Sequence, residues 1–129
     1  NTVAPGKKML SSQTPTILAK NGKVFLVTGS PGGRTIINTV LNVVVNVVDY
    51  EMPIQDAVDA PRLHHQWFPD EVKFEGGREY DAAIKGLQAK GHYISYARQG
   101  DAHSIWVSPK TGVYIGAADK RLSGKASGF

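Results

Sequence analysis

The order of elements in the sequence predicts an α+β fold in which helices cover sheets, and it argues against a doubly wound parallel sheet. Three features carry that expectation. A strand pair meets at an Asn-Gly turn, a Val- and Ile-rich segment has helical spacing, and three short apolar runs close the chain. With 129 residues, 41% of them hydrophobic and 20% charged, the chain suits one core and reads as a single unit.

Residues 1–15 are polar, contain two prolines and one glycine, and read as an extended loop. Residues 16–19 and 24–28 are apolar strands around Lys20-Asn21-Gly22-Lys23, where Asn-Gly takes the positive φ values of a tight hairpin turn. Residues 34–50 are too long for a strand. Asn38, Asn42 and Asn46 recur four apart, and Ile37, Val40, Leu41, Val44 and Val48 have complementary spacing, so a mostly buried helix is expected despite the β-branched content. Residues 53–60 read as a short helix started near Pro53 and stopped by Pro61, and residues 72–75 as a strand. Residues 81–90 form an amphipathic helix capped by Gly91. Strands follow at 92–97, 104–107 and 113–117, and the Gly- and Ser-rich residues 122–129 run over the surface.

The net charge of +4 is scattered, with no Lys/Arg run longer than the pairs Lys7-Lys8 and Lys120-Arg121, so a nucleic-acid partner is not expected. No cysteine is present, which excludes disulfides, a thiol nucleophile and thiolate metal sites. The apolar run 43–48 is interrupted by Asn46 and falls far short of the ~20 residues of a membrane helix. A soluble chain is expected, with any export signal outside it.

Gly29-Ser30-Pro31-Gly32-Gly33 lies between a strand and a helix. Amides at a helix N-terminus lack intrahelical acceptors and favour negative charge, and paired glycines let the main chain approach a ligand closely. The segment fits either a plain turn or an oxyanion-binding turn. It is not a P-loop, because Arg34-Thr35 follows the last glycine. Ser11-Ser12, in the polar entry loop, fits either a turn role or the holding of a carboxylate through its hydroxyls. His64-His65 is not expected to bind metal. Neighbours on an extended chain face opposite ways, no further ligand stands at a familiar spacing, and packing or hydrogen bonding beside Trp67 is the plainer role. His103-Ser104 alone defines no triad.

Taken together, Lys8-Met9-Leu10-Ser11-Ser12-Gln13-Thr14-Pro15-Thr16, Leu26-Val27-Thr28-Gly29-Ser30-Pro31-Gly32-Gly33 and Ala60-Pro61-Arg62-Leu63-His64-His65-Gln66-Trp67 resemble, in order and separation, the γ-glutamyltranspeptidase family. Asp119-x-Arg121 and the final Ser-Gly-Phe resemble its C-terminus, so the likeness spans essentially the whole chain. The resemblance implies that residues 1–129 are the C-terminal portion of the small subunit. The parent fold would be an N-terminal-nucleophile hydrolase, a four-layer αββα sandwich made as a precursor that cleaves itself into large and small subunits. It implies a γ-glutamyl transferase and hydrolase acting on glutathione-like compounds, with the large subunit as partner, without metal or organic cofactor, in a periplasmic or extracellular location.

Carried over by residue, the serine pair that grips the glutamate α-carboxylate falls on Ser11 and Ser12, and the oxyanion-stabilising amides fall on Gly32 and Gly33. Neither Asn1 nor Thr2 matches the family's N-terminal threonine nucleophile, so the isolated chain is expected to be inactive. Gln13 stands where relatives commonly have Met. The alternatives are a related acylase that cleaves another side-chain amide and a non-catalytic anion-binding scaffold. The serine pair argues for a free α-carboxylate on the donor, which sets the first apart. A threonine upstream would set apart the second.

Overall fold

The structure is a computed structural model that describes residues 2–76 and 80–129; Asn1 lies outside them. The expected hairpin is present as β1 (Thr16–Lys20) and β2 (Lys23–Gly29), joined by Asn21 and Gly22 at φ 53° and 72°. These left-handed values match the turn's twist to that of the strands. With β6 (His103–Val107) and β7 (Tyr114–Ala118) the hairpin makes an antiparallel sheet in the order β1-β2-β6-β7.

Strand alternation gives this sheet two different faces. On the inner face, the row Leu18, Leu26, Trp106, Ile115 lies beside Thr28, Ser104 and Ala117. The helices α1 (Ile36–Val48) and α2 (Ile54–Asp59) close over it, burying Leu26, Val43, Val47, Ile54, Ala57, Val58, Ala102 and Ala117. On the outer row, Ile17, Val27, Ile105 and Gly116, no helix or strand of the described residues is packed, and Ile17 and Tyr114 are largely exposed. Residues 125–129 form one wall of a groove along it.

The helix expected over residues 34–50 is present, but its buried face is rotated. Thr39, Val40, Val43 and Val47 are buried, whereas Ile37, Leu41 and Val48 are exposed. The asparagine stripe accounts for the rotation. Asn38 donates to the His65 carbonyl (3.3 Å), Asn42 to the Leu63 carbonyl (3.2 Å) and Asn46 to the Ala57 carbonyl (3.2 Å). The amides therefore face protein backbone, and the second apolar stripe turns outward.

A second sheet, in the order β3-β4-β5, is built from β3 (Leu63–His64), β4 (Val72–Phe74) and β5 (Ile94–Tyr96). Strand β3 is too short to signal itself in sequence. β4 and β5 pair in parallel, with α3 (Asp81–Ala89) in the crossover between them. Gly91, at φ 90°, ends α3 in a Schellman motif: His92 N–H donates to the Leu87 carbonyl (3.1 Å) and Gly91 N–H to that of Gln88 (2.9 Å).

A buried charge cluster ties the two sheets together. Arg62 donates to Asp119 (2.6 Å) and to the carbonyls of Gln99 (2.6 Å) and Val58 (2.7 Å). Asp119 also accepts the amides of Ala102 (2.7 Å) and Arg121 (2.9 Å). Arg121 pairs with both Asp119 and Glu75, and Glu75 in turn accepts the amides of Arg62 and Gln99. Burial pulls the Arg62 guanidinium below its ordinary pKa against the opposing bond to Asp119. Burial would raise Asp119, but the two amides and two guanidiniums outweigh it and hold the carboxyl below its usual value.

Candidate functional site

The turn after β2 is held from both sides. Gly32 and Gly33 have φ of 135° and 58°. Gly32 lies so close to its neighbours that a Cβ would stand 2.7 Å from Thr35 Oγ1 and 3.3 Å from Gly100 Cα, whereas a Cβ on Gly33 would meet open space. Ser30 Oγ accepts the Asp101 amide (2.9 Å) and donates to the Pro31 carbonyl (2.6 Å), which links the turn to the start of β6.

The carbonyls of the glycine pair are engaged. The amide and hydroxyl of Thr35 donate to Gly32 O (3.2 and 3.1 Å), and the amide of Ile36 donates to Gly33 O. Residues 33–35 form a 3₁₀ turn that runs into α1. Amides at such a start have no intrahelical acceptor, so the outward pole of the turn is positive, the property an oxyanion requires.

The entry loop meets this turn directly. Ser12 Oγ donates to Gly33 O at 2.6 Å, across 21 residues of sequence. Ser11 is exposed and its Oγ accepts the Gln13 amide (3.2 Å), while Thr14 Oγ1 donates to the Ser12 carbonyl (2.9 Å). A serine hydroxyl has one proton. Ser12 spends its proton on Gly33, whereas Ser11 only accepts in these bonds and keeps its proton for an incoming acceptor. All four residues singled out from the sequence, Ser11, Ser12, Gly32 and Gly33, thus share one surface.

Two arrangements were not visible in the sequence. His103 Nε2 lies 2.9 Å from Asp101 Oδ2, on the segment that backs Gly32 through Gly100. The spacing i, i+2 in an extended segment leading into β6 was its only signal. Ser104 points to the opposite face and bonds Thr28 Oγ1 (2.8 Å), so His103-Ser104 forms no triad. His64 and His65 diverge as expected of an extended chain. His64 is buried against Gln66 (2.9 Å), and His65 Nδ1 accepts the Trp67 amide (3.3 Å). No metal ligand set was expected here, yet donor atoms of His65, Asp70 and His92 lie within 4.8 Å of one another. Asp70 arrives across a turn and His92 from beyond α3, separations that no local spacing rule covers.

The fold defines the class: a mixed helix-and-sheet protein of the N-terminal-nucleophile hydrolase type. Residues 1–129 match the Gamma-glutamyltranspeptidase family throughout. The glutathione hydrolase proenzyme of Escherichia coli K12 is 49% identical over 122 residues, 94% of this chain and 21% of the relative. A solved γ-glutamyltranspeptidase from Helicobacter pylori, a T380A mutant, superposes with a TM-score of 0.84 at 44% identity, covering 93% of this chain and 66% of that one. The Pseudomonas nitroreducens enzyme complexed with L-DON gives 0.85 at 34% identity, over 100% of this chain and 68% of the other. This chain belongs to the γ-glutamyltranspeptidase family, and it spans about a fifth of the length of the curated relatives it matches.

Proposed function

We propose that the complete protein is a γ-glutamyl transferase and hydrolase of glutathione-like compounds, and that this chain supplies the carboxylate-binding and oxyanion-binding parts of its site. The attacking threonine and the large subunit are contributed from outside these residues. The bond from Ser12 Oγ to Gly33 O carries the reading, because it fixes the distance between the two halves of the site. Ser11 Oγ–H holds the donor's α-carboxylate. Ser12 couples that grip to the glycine turn and reaches the substrate itself only by giving up its bond to Gly33. The γ-carbonyl then lies over the amides of Gly32 and Gly33. Negative charge develops on the carbonyl oxygen as the nucleophile adds, the amine departs with a proton, and water or an acceptor amine releases the acyl group.

The apolar outer row of the sheet suits a second sheet layer, which supports a place inside a larger αββα body. A periplasmic or extracellular location completes the proposal, rests on the family resemblance alone, and is tested by cell fractionation.

The test is turnover of a γ-glutamyl anilide by the complete protein. Ser11→Ala loses a charge-assisted bond of ~1.5–3 kcal/mol and raises KM about ten- to a hundredfold. Ser12→Ala lowers kcat as well, because Gly33 loses its tether. Unchanged KM and kcat in both variants would overturn the assignment.

A further inference from the structure

Independently of the acyl-transfer reading, we propose that His65, Asp70 and His92 form a surface site for a borderline divalent cation of the zinc class. Their donor atoms lie within 4.8 Å of one another, with His65 Nε2 3.1 Å from Asp70 Oδ1 and the two imidazole centroids 5.8 Å apart. Tetrahedral zinc, with ligands at 2.0–2.2 Å, needs donors roughly 3.3 Å apart. One pair already meets this, and small side-chain rotations close the rest. Two imidazoles and one carboxylate favour zinc, nickel or copper over magnesium or calcium.

The backbone presents these side chains from an ordered frame. The His65 carbonyl is held by Asn38 of α1 (3.3 Å). The Val72 amide donates to the Tyr93 carbonyl (2.8 Å), which ties the segment after Asp70 to the segment after His92. The His92 amide is fixed by the Schellman bond to Leu87 (3.1 Å). Three elements thus converge on one point, and the exposure of Asp70 leaves an entry path and room for a fourth ligand from water.

The same geometry predicts a local change on binding. His65 Nδ1 accepts the Trp67 amide, so in the neutral ring the proton sits on Nε2, facing Asp70. A cation on Nε2 moves that proton to Nδ1, and the 3.3 Å contact with Trp67 N must open. Trp67, whose residue is 83% exposed, therefore reports occupation through its fluorescence.

The experiment is calorimetric titration of ZnCl₂ into the complete, untagged protein, with MgCl₂ as the comparison and Trp67 emission followed in parallel. Saturable binding at one site per chain is expected, with no comparable response to Mg²⁺. His92→Ala and Asp70→Asn should each weaken it by about tenfold or more, at least the cost of losing a supporting contact. His103→Ala should leave it unchanged. Asp70 is 84% exposed, so loss of binding in Asp70→Asn cannot be charged to misfolding. Absence of saturable binding, equal binding of Mg²⁺, or unchanged affinity in both ligand variants would overturn the site.

Discussion

Gly32 and Gly33 are adjacent and alike in composition, yet their surroundings assign them different tolerances. An Ala at position 32 combines φ 135° with a Cβ 2.7 Å from Thr35 Oγ1 and 3.3 Å from the main chain at Gly100, so the turn must move. An Ala at position 33 has open space and faces only a left-handed φ of 58°, costing roughly 1–2 kcal/mol of folding. Gly32→Ala is therefore expected to lower kcat by on the order of 10²–10³, the scale of a lost oxyanion donor, and Gly33→Ala to lower it much less. Equal losses measured on the γ-glutamyl anilide would show that packing against Gly100 does not set the turn. The sequence left the glycine pair open between a plain turn and an oxyanion-binding one, and the resemblance alone favoured the second. It could not rank them, since Gly100 and Thr35 reach Gly32 only through the fold. Likewise, the sequence pointed to two equivalent serines at 11 and 12, and only the position of the Gly33 carbonyl separates the hydroxyl that tethers from the one that is free.

At the level of elements, α1 shows where periodic reading succeeds and where it stops. The four-residue recurrence of asparagine identified a helix within a Val- and Ile-rich segment that residue preference alone would make a strand. Orientation was not recoverable, because a helix with two apolar stripes can turn either one inward. The carbonyls of Leu63, His65 and Ala57 decide the matter by accepting the asparagine amides. Asn42 is thus a structural bond between α1 and β3. Asn42→Ala should cost about 1 kcal/mol in urea unfolding, the scale of one net hydrogen bond, since this one is half-buried. Asn42→Asp should cost more, since a carboxylate would face carbonyl oxygens. An Asp variant as stable as wild type would mean that the stripe faces solvent. β3 escaped the sequence for a related reason: a two-residue strand has no periodicity, and its existence depends on Phe74 and Lys73 as partners.

Across the whole molecule, the two sheets and α2 are joined through Arg62, Asp119, Arg121 and Glu75, and this makes the union sensitive to acid. Arg121 is raised above its ordinary value, because its bonds to Glu75 and Asp119 outweigh the burial that would lower it, whereas burial lowers Arg62. Asp119 contributes an acid response. Its folded pKa lies below the ordinary ~3.9, so the unfolded chain takes up the proton first as pH falls. The stability it contributes is therefore complete above about pH 4 to 5 and is lost as pH drops through the folded value. Asp119→Asn should destabilise by roughly 3–5 kcal/mol at neutral pH, leaving two buried guanidiniums short of charge. The gap between wild type and variant should stay level from neutrality to mild acid and narrow only below about pH 4. A gap that already narrows well above that range would show that Asp119 is not the group responsible. Arg62→Met leaves Arg121 as the one guanidinium partner of Asp119, so the depression of that carboxyl and the acid-dependent part of the stability should both shrink in pH-dependent urea unfolding. Asp119 and Arg121 stand just before the Gly- and Ser-rich residues 122–129. Their burial follows from the path of the chain after β7, which passes back beneath α2 to close the joint between the sheets.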